Sequence, residues 1–286
     1  MLTEKRDVKM KIVVVGLGVI GGSFIMALKE AGYTDVYGID INKESLKKAE
    51  DKELIRKGYT DGNEVLKDAD LIIISLYPRL VKNFILQNKE NFKDGAIITD
   101  ATGVKKFFID DILAILPENI DFVFGHPMAG REKRGIDFAS SKVFHGANYI
   151  ITPVKRNKPE NIELIENLVY KLGFKRIKKI TPEYHDEMIG FVSQLPHAIA
   201  VSLINSDIEG RETGSFIGDS YRDLTRIANI NEDLWPELFL ENKNNLLTSI
   251  QNFENELDKI KNAIKKDDKE SLKKLFVKST QRREKL

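Results

Sequence analysis

The sequence predicts an α/β protein in which a doubly wound parallel sheet is followed by an all-helical domain. Short β-branched runs alternate with amphipathic segments through residues 11–180. Such alternation is typical of parallel strands joined by right-handed helical crossovers. No strand pattern occurs after this region. We therefore expect residues 1–180 to form one domain and residues 181–286 to form a second, helical one.

The composition is that of a globular protein with an ordinary core. The chain has 286 residues, of which 42% are hydrophobic and 31% are charged. Its formal net charge is +1, so the charge balance gives no indication of a nucleic-acid partner. There is no cysteine, which excludes disulfides and thiolate metal sites. The apolar runs are too short to cross a bilayer and residues 1–9 lack a signal-peptide pattern, so we expect a cytoplasmic protein without membrane or metal partners.

A glycine-rich turn joins the first predicted strand, at 11–15, to the first predicted helix. The turn reads Gly-Leu-Gly-Val-Ile-Gly, a Rossmann-type pattern. Its first glycine permits a tight turn, its second admits a pyrophosphate, and its third allows close helix packing. The helix N-terminus then offers N–H groups and partial positive charge to phosphates. The residues predicted to bind a dinucleotide here are Gly16, Leu17, Gly18, Val19, Ile20 and Gly21.

An aspartate ends the second predicted strand, which runs over 35–40. An acid at this position accepts hydrogen bonds from ribose hydroxyls and repels a 2′-phosphate. Asp40 therefore favours NAD as the cofactor. Asn42 and Lys43 lie close enough to tolerate a phosphate, so NADP stays open as the alternative.

Three further predicted strands, at 71–75, 96–100 and 121–124, should end at one edge of the sheet. Open α/β sheets bind their ligands at the carboxyl ends of their strands. We therefore expect Ser75 and Leu76, at the end of the first of these strands, to contact the cofactor.

The third of these strands delivers a histidine to the same edge. We expect the chain to break at Gly125, with Pro127 holding His126 in an extended conformation. A neutral imidazole here could act as a general base, the alternative being a histidine that satisfies loop backbone. Because one base suffices, His145 and His185 are interpreted as surface or packing residues. Activity should decline as the pH falls through the ordinary histidine range near ~6.5.

The first helix of the helical domain should begin after Thr181, a capping residue followed by proline. It places His185, Ser193 and His197 along one face at multiples of four residues. Pro196 should kink the helix because it lacks an N–H. A polar pair beside a kink is costly to bury unless a polar group occupies the space.

On these residues the sequence resembles the prephenate/arogenate dehydrogenases of tyrosine biosynthesis, across nearly all of residues 10–245. The first motif is common to many dehydrogenases, whereas the later ones are much narrower. The matching motifs are GLGVIGGS at 16–23, DATGVK at 100–105, GHPMAG at 125–130, SQLPH at 193–197 and YRDLTRIA at 221–228, with Trp235 after them.

The resemblance implies a reaction and a set of roles. The family oxidatively decarboxylates a cyclohexadienol, and NAD or NADP takes a hydride from the ring carbon that bears the hydroxyl. His126 would be the catalytic base, and Arg226 would bind the ring carboxylate through its planar guanidinium. His197 and Ser193 would lie in the substrate pocket, and Trp235 near the side chain that distinguishes prephenate from arogenate. The helical domain would interlock in a homodimer.

One position departs from the family pattern. Many relatives carry a serine that bonds the catalytic histidine and the substrate hydroxyl, and this chain has Gly103 there. Either Thr102 or a water takes over that contact, or Gly103 serves close approach of the backbone to the nicotinamide. We expect both residues to line the substrate site.

Three functions follow from the resemblance. The favoured one is an NAD-dependent prephenate dehydrogenase that forms 4-hydroxyphenylpyruvate. The second is an arogenate dehydrogenase that gives tyrosine directly. The third is a non-catalytic NAD-binding regulator, for which Gly103 is the only indication.

Overall fold

The computed structural model describes residues 10–130 and 133–285. The expectation about residues 1–9 therefore lies outside the described residues. The strands are β1 (Ile12–Val15), β2 (Val36–Ile39), β3 (Gly58–Tyr59), β4 (Leu71–Ile74), β5 (Ile97–Asp100), β6 (Asp121–Pro127), β7 (Asn148–Thr152) and β8 (Arg176–Lys179). The α-helices are α1 (Val19–Glu30), α2 (Lys43–Asp51), α3 (Pro78–Asn88), α4 (Lys106–Ile115), α5 (Pro159–Lys171), α6 (Pro182–Ile189), α7 (Leu195–Asn205), α8 (Asp219–Thr225), α9 (Trp235–Glu241), α10 (Lys243–Lys265) and α11 (Lys269–Arg283).

The strands form one sheet in the order β3-β2-β1-β4-β5-β6-β7-β8. This confirms the doubly wound α/β class followed by helices. The sheet is parallel except at one place, where β7 pairs antiparallel with β6, and β8 then follows β7 in parallel. Among the described residues between β6 and β7 only 3₁₀ turns occur, so no crossover helix carries the chain back to the other end of the sheet.

The core consists of two apolar layers on the two faces of the sheet. Ile12 and Val14 of β1 pack into the layer that contains α1 and α5, whereas Val13 and Val15 pack into the layer that contains α3 and α4. These side chains are fully or almost fully buried. Burial of one such side chain stabilises the fold by about 1.5–3 kcal/mol. The glycine turn therefore follows a strand that is fixed on both faces.

Strand β6 is longer than the sequence predicts. It was expected to end at Phe124, but it continues to Pro127, and His126 pairs with Ile150 of β7. Gly125 allows this continuation because a Cβ there would lie 2.0 Å from the hydroxyl of Tyr149. His126 is consequently held by strand pairing on a regular backbone and not by a loop.

A nearly continuous helical segment opens the helical part of the chain. The hydroxyl of Thr181 accepts a hydrogen bond of 3.2 Å from the backbone N–H of Tyr184, which confirms the predicted cap. The disturbance expected from Pro196 takes the form of a π-helical turn, Gly190–Gln194, between α6 and α7. The missing N–H of proline explains why the regular bonding pattern gives way just before it.

By length and composition alone, Pro182–Asn205 could cross a membrane, and only 28% of its most apolar window is buried. The same segment carries three buried polar side chains, His185, Asp186 and Gln194, that bond to other parts of the fold. Such bonds tie the segment to the rest of the protein.

Candidate active site

The glycine turn has the geometry that its sequence predicts. Gly16 has a φ of +85°, and a Cβ there would lie 2.5 Å from the carbonyl oxygen of Ser75 and 3.0 Å from the side chain of Leu76. A Cβ on Gly21 would lie 1.8 Å from the carbonyl oxygen of Gly16. A Cβ on Gly18 would meet nothing within 4 Å. The first and third glycines are thus required for packing, and the second borders open space.

The end of β2 is tied to this turn. Asp40 accepts a hydrogen bond of 2.6 Å from the N–H of Leu17 and another of 2.7 Å from the N–H of Asn42. A carboxylate has about four lone-pair sites, so two remain for a ligand. Gly18 caps α1 without a side-chain hydrogen bond, which leaves the first-turn N–H groups of Val19 and its successors for a ligand.

His126 belongs to a hydrogen-bonded chain that crosses from the sheet to the helical domain. Its Nδ1 lies 2.9 Å from Nε2 of His185, and Nδ1 of His185 lies 2.6 Å from Oδ1 of Asp186. The same carboxylate accepts the backbone N–H groups of Lys105 at 2.9 Å and Lys106 at 2.8 Å. His185 is fully buried and Asp186 is 2% exposed.

The surroundings keep both imidazoles neutral near pH 7. Burial is the main reason that the pKa of His126 lies well below its ordinary value of 6.5, and the charges of His185 and Lys105 lower it further. Burial also lowers the pKa of His185, although the hydrogen bond to Asp186 opposes that shift. A neutral imidazole can accept a proton, as a general base must.

A buried ion pair supports the loop next to the strand that carries His126. Nζ of Lys105 lies 2.6 Å from Oδ2 of Asp100, and both side chains are completely buried. Oδ1 of Asp100 accepts the N–H of Gly125 at 3.0 Å. Burial lowers the pKa of Lys105, and the charge of Asp100 opposes that shift. These bonds fix the β5–α4 turn against the strand that carries His126.

Thr102 lies within this support. It is 3% exposed, and its hydroxyl bonds Asp100 and accepts from Nζ of Lys105 at 2.8 Å. A substrate contact, as predicted for Thr102, would have to replace one of these bonds.

Gly103, in contrast, faces His126. A Cβ at this position would lie 3.8 Å from Nε2 of His126 and 3.4 Å from Cδ2 of Leu238 on α9. The Nε2 side of His126 therefore points toward the place where the β5–α4 turn meets the helical domain.

The helical domain brings three of its predicted site residues together. Nδ1 of His197 lies 2.8 Å from the carbonyl oxygen of Ser193, and the ring of His197 stacks on Trp235 with centroids 3.7 Å apart. Arg226 begins a 3₁₀ turn, Arg226–Ala228, that packs against α7. The guanidinium is exposed, and its approach to a substrate stays a prediction.

Ion pairs cross from the sheet domain to α9 and the residues before it. Arg79, at the start of α3, pairs with Glu237 at 2.6 Å. Arg134, which follows β6, pairs with Asp233 at 3.0 Å and also with Glu232. These contacts hold the helical domain over the edge of the sheet at which the glycine turn and His126 lie.

Sequence reasoning missed the role of His185. His185 was interpreted as a surface or a packing residue, and its burial agrees with packing. Its contact with His126 was not expected. The partners stand 59 positions apart, in different domains. The acid directly after His185 was the one available signal. In the described part of the chain no group of three or more His, Asp or Glu side chains is arranged to hold a metal ion.

A glycine turn with an uncapped helix N-terminus, a neutral histidine at the same sheet edge and a helical cover are the arrangement expected of a dinucleotide-dependent dehydrogenase. Two family models match the chain: the nucleotide-binding domain of prephenate dehydrogenase over residues 24–178, and its dimerization domain over residues 181–278. The chain therefore belongs to the prephenate dehydrogenase family.

Individual relatives agree with this assignment. Prephenate dehydrogenase of Bacillus subtilis is 30% identical over 280 residues, which are 95% of this chain and 74% of that protein. The structure of Aquifex aeolicus prephenate dehydrogenase with hydroxyphenyl propionate and NAD+ superposes with a TM-score of 0.87 at 31% identity, covering 96% of this chain and 98% of the other. Synechocystis arogenate dehydrogenase superposes with a TM-score of 0.81 at 27% identity, covering 96% and 99%.

Proposed function

We propose that the protein is an NAD-dependent prephenate dehydrogenase that converts prephenate to 4-hydroxyphenylpyruvate. The observation that carries this proposal is the chain from His126 through His185 to Asp186, at the sheet edge that also holds the glycine turn. A neutral imidazole at this edge supports a general base beside a bound hydride acceptor. The family membership supplies the class of substrate.

The residues present fit a dinucleotide. Open space above Gly18 and the uncapped N-terminus of α1 suit a pyrophosphate, and Asp40 retains acceptor capacity for ribose hydroxyls. The negative charge of Asp40 disfavours a 2′-phosphate, which is why NAD is preferred over NADP. NAD, when bound, accepts the hydride from the substrate carbon that bears the hydroxyl.

His126 acts on the proton of that hydroxyl. The O–H proton moves to the imidazole as the C–H bond gives up its hydride, and a ring carbonyl forms. The ring carboxylate then leaves as carbon dioxide, and the electron pair of the broken C–C bond makes the ring aromatic. The proton held on His126 returns to the phenolic oxygen. A positioned general base typically contributes about 10²–10⁴ in rate.

The helical domain would bind the two carboxylates and the side chain of the substrate. Arg226 is proposed to hold the ring carboxylate, because a guanidinium fork matches a carboxylate in a bidentate manner. Ser193, His197 and Trp235 would line the pocket around the side chain, and the contacts of His197 with the Ser193 carbonyl and with Trp235 support this grouping.

A second candidate is arogenate dehydrogenase activity on the same scaffold. The similarity to Synechocystis arogenate dehydrogenase favours testing it. The two substrates differ only in whether the pocket meets a pyruvyl ketone or an amino acid.

We also propose that the protein is a cytoplasmic homodimer joined through its helical domain. Several large apolar side chains of this domain are exposed in the single chain, and a second copy would cover them. It would also cover the apolar part of Pro182–Asn205, of which 28% is buried. Among the most exposed of these side chains are Phe216 at 83%, Leu240 at 69%, Ile208 at 63% and Leu224 at 59%.

The test is turnover by the purified protein. We expect NADH to form from NAD with prephenate, at a higher kcat/KM than with arogenate, and 4-hydroxyphenylpyruvate to appear as the product. A preference for arogenate would select the second candidate. Binding of NAD without turnover of either substrate would overturn both enzymatic proposals in favour of a regulator.

A further inference from the structure

We propose that Asp186 and His185 are positioning residues that fix the tautomer of His126, so that its Nε2 is the atom that accepts the proton. The catalytic consequence rests on the proposed function. The tautomer itself is a property of the protein without substrate and can be measured independently of turnover.

Asp186 is the fixed end of the hydrogen-bonded chain. Its carboxylate caps the N-terminus of α4, where it accepts the backbone N–H groups of Lys105 and Lys106. Each oxygen accepts a backbone N–H, and Oδ1 also faces Nδ1 of His185, so every polar contact of Asp186 is one in which the carboxylate accepts. The carboxylate is therefore an acceptor only, and the partial positive charge of the helix end favours its negative charge. His185, 2.6 Å away, must donate through Nδ1.

The positions of the other ring protons follow from the fact that a neutral imidazole carries a proton on only one of its two nitrogens. A neutral ring with Nδ1 protonated has a bare Nε2, so His185 accepts at Nε2. The atom 2.9 Å from it is Nδ1 of His126, which must then donate. This leaves Nε2 of His126 bare, and that nitrogen faces the backbone at Gly103.

The charged groups around this hydrogen-bonded chain favour the neutral form of both imidazole rings. Lys105 approaches from the β5–α4 turn and disfavours a second positive charge, while Asp100 of β5 neutralises Lys105. When His126 takes a proton at Nε2, its Nδ1–H still donates to His185, and the negative charge of Asp186 lies behind that ring. The imidazolium is thus stabilised without any rearrangement of the protein.

Because position 103 is a glycine, the hydrogen bonds through His185 to Asp186 matter for the orientation of His126. A serine at that position would offer His126 a hydroxyl partner on the cleft side, and glycine offers none. In this protein the orientation of the His126 ring depends on the hydrogen bond between its Nδ1 and His185.

The tautomer can be read directly by NMR. Histidine ring ¹⁵N shifts distinguish a protonated from a bare nitrogen, and the protein has only four histidines to assign. Near pH 7.5 we expect His126 and His185 each to carry the proton on Nδ1. A proton on Nε2 of His126 would overturn the proposal, whether or not the enzyme turns over prephenate.

Two substitutions at His185 separate positioning from packing. In His185→Gln the side-chain amide reaches the position of Nε2, where its oxygen can accept from His126. In His185→Asn the amide reaches only the position of Nδ1, which keeps the bond to Asp186 but leaves His126 without an acceptor. Both variants retain the capping role of Asp186, so both should fold.

We expect kcat to fall on the order of 10²-fold in His185→Asn, the usual result of a misplaced catalytic group. In His185→Gln kcat should stay within about tenfold of the parent protein, and the affinity for NAD should change in neither variant. Glu183→Gln is the matched control on the same helix, since it removes only a surface ion pair with Lys106. Equal losses in the two His185 variants, or no loss in either, would contradict a positioning role.

Discussion

At the scale of single residues, the pKa of His126, the proposed base, should decide how activity depends on pH. The sequence alone predicts a decline near ~6.5. The structure corrects this expectation, because burial and the charges of His185 and Lys105 move the pKa well below 6.5. The base is therefore neutral over a wider range of pH than an ordinary histidine.

We predict that kcat/KM stays constant from about pH 8 to about pH 6.5 and falls only at lower pH, where His126 becomes protonated. A pH–rate profile with subsaturating substrate measures this. A half-maximal value at about 6.5 would show that His126 titrates as an exposed histidine does.

Gly103 offers a second test. A Cβ there meets no atom closer than 3.4 Å, so Gly103→Ser should fold normally and place a hydroxyl beside Nε2 of His126. A donor to the bare nitrogen favours the neutral ring, so the pKa of His126 should fall and the acid limb of the pH–rate profile should move to lower pH. Gly103→Ala, which adds the Cβ without the hydroxyl, should leave the limb in place. Identical profiles for the two variants would refute the contact.

The positions of individual residues were predictable where a local pattern is specific. The glycines of the turn and the histidine at the sheet edge lie where the sequence predicts them, and their functional roles stay predictions. The contact of His185 with His126 was not predictable, because it spans 59 positions and no local pattern indicates it. Thr102 has the right chemistry for a substrate contact, but its hydroxyl is engaged by Asp100 and Lys105.

At the scale of elements, the β5–α4 turn depends on the buried pair of Lys105 and Asp100. Removing one member of a buried pair leaves an uncompensated charge, which typically costs about 3–5 kcal/mol. We predict that Lys105→Met lowers the free energy of unfolding by this amount in urea titrations. Lys106→Met, at the next position but in an exposed pair with Glu183, should change it little. Equal effects of the two substitutions would contradict the role given to the buried pair.

The elements themselves were largely predictable, since buried β-branched runs and caps are local signals. The direction of β7 and the length of β6 were not. Both depend on side chains that meet across the sheet, such as Gly125 and the hydroxyl of Tyr149. The local sequence Gly-His-Pro predicts a break in the strand. Pairing with β7 nevertheless keeps this segment in the extended conformation of β6.

At the scale of the whole molecule, the helical domain has an apolar surface that a partner would cover. We predict a dimer in sedimentation experiments. Phe216→Asp combined with Leu240→Asp should yield a monomer, because each carboxylate would have to be buried in an apolar interface. Tyr170→Asp, on the exposed face of α5 in the sheet domain, is the matched control and should leave the dimer intact. A monomeric parent protein would contradict the proposed interface.

The contact between the sheet domain and the helical domain was predictable only from the resemblance to a known family. Composition and periodicity predict a sheet domain and a helical domain, but not which edge the helices cover. Arg79 pairs with Glu237, and Arg134 pairs with Asp233. The sequence alone does not predict which of these surface charges pair with each other. Through these contacts α9 lies over the edge of the sheet that carries His126.

The most direct test of the central claim is the turnover of His126→Asn. An asparagine preserves a polar side chain of similar width but cannot accept a proton. If His126 is the base, kcat with prephenate and NAD should fall by about 10²–10⁴, while the dissociation constant for NAD stays unchanged. Turnover comparable to that of the parent protein would contradict the claim.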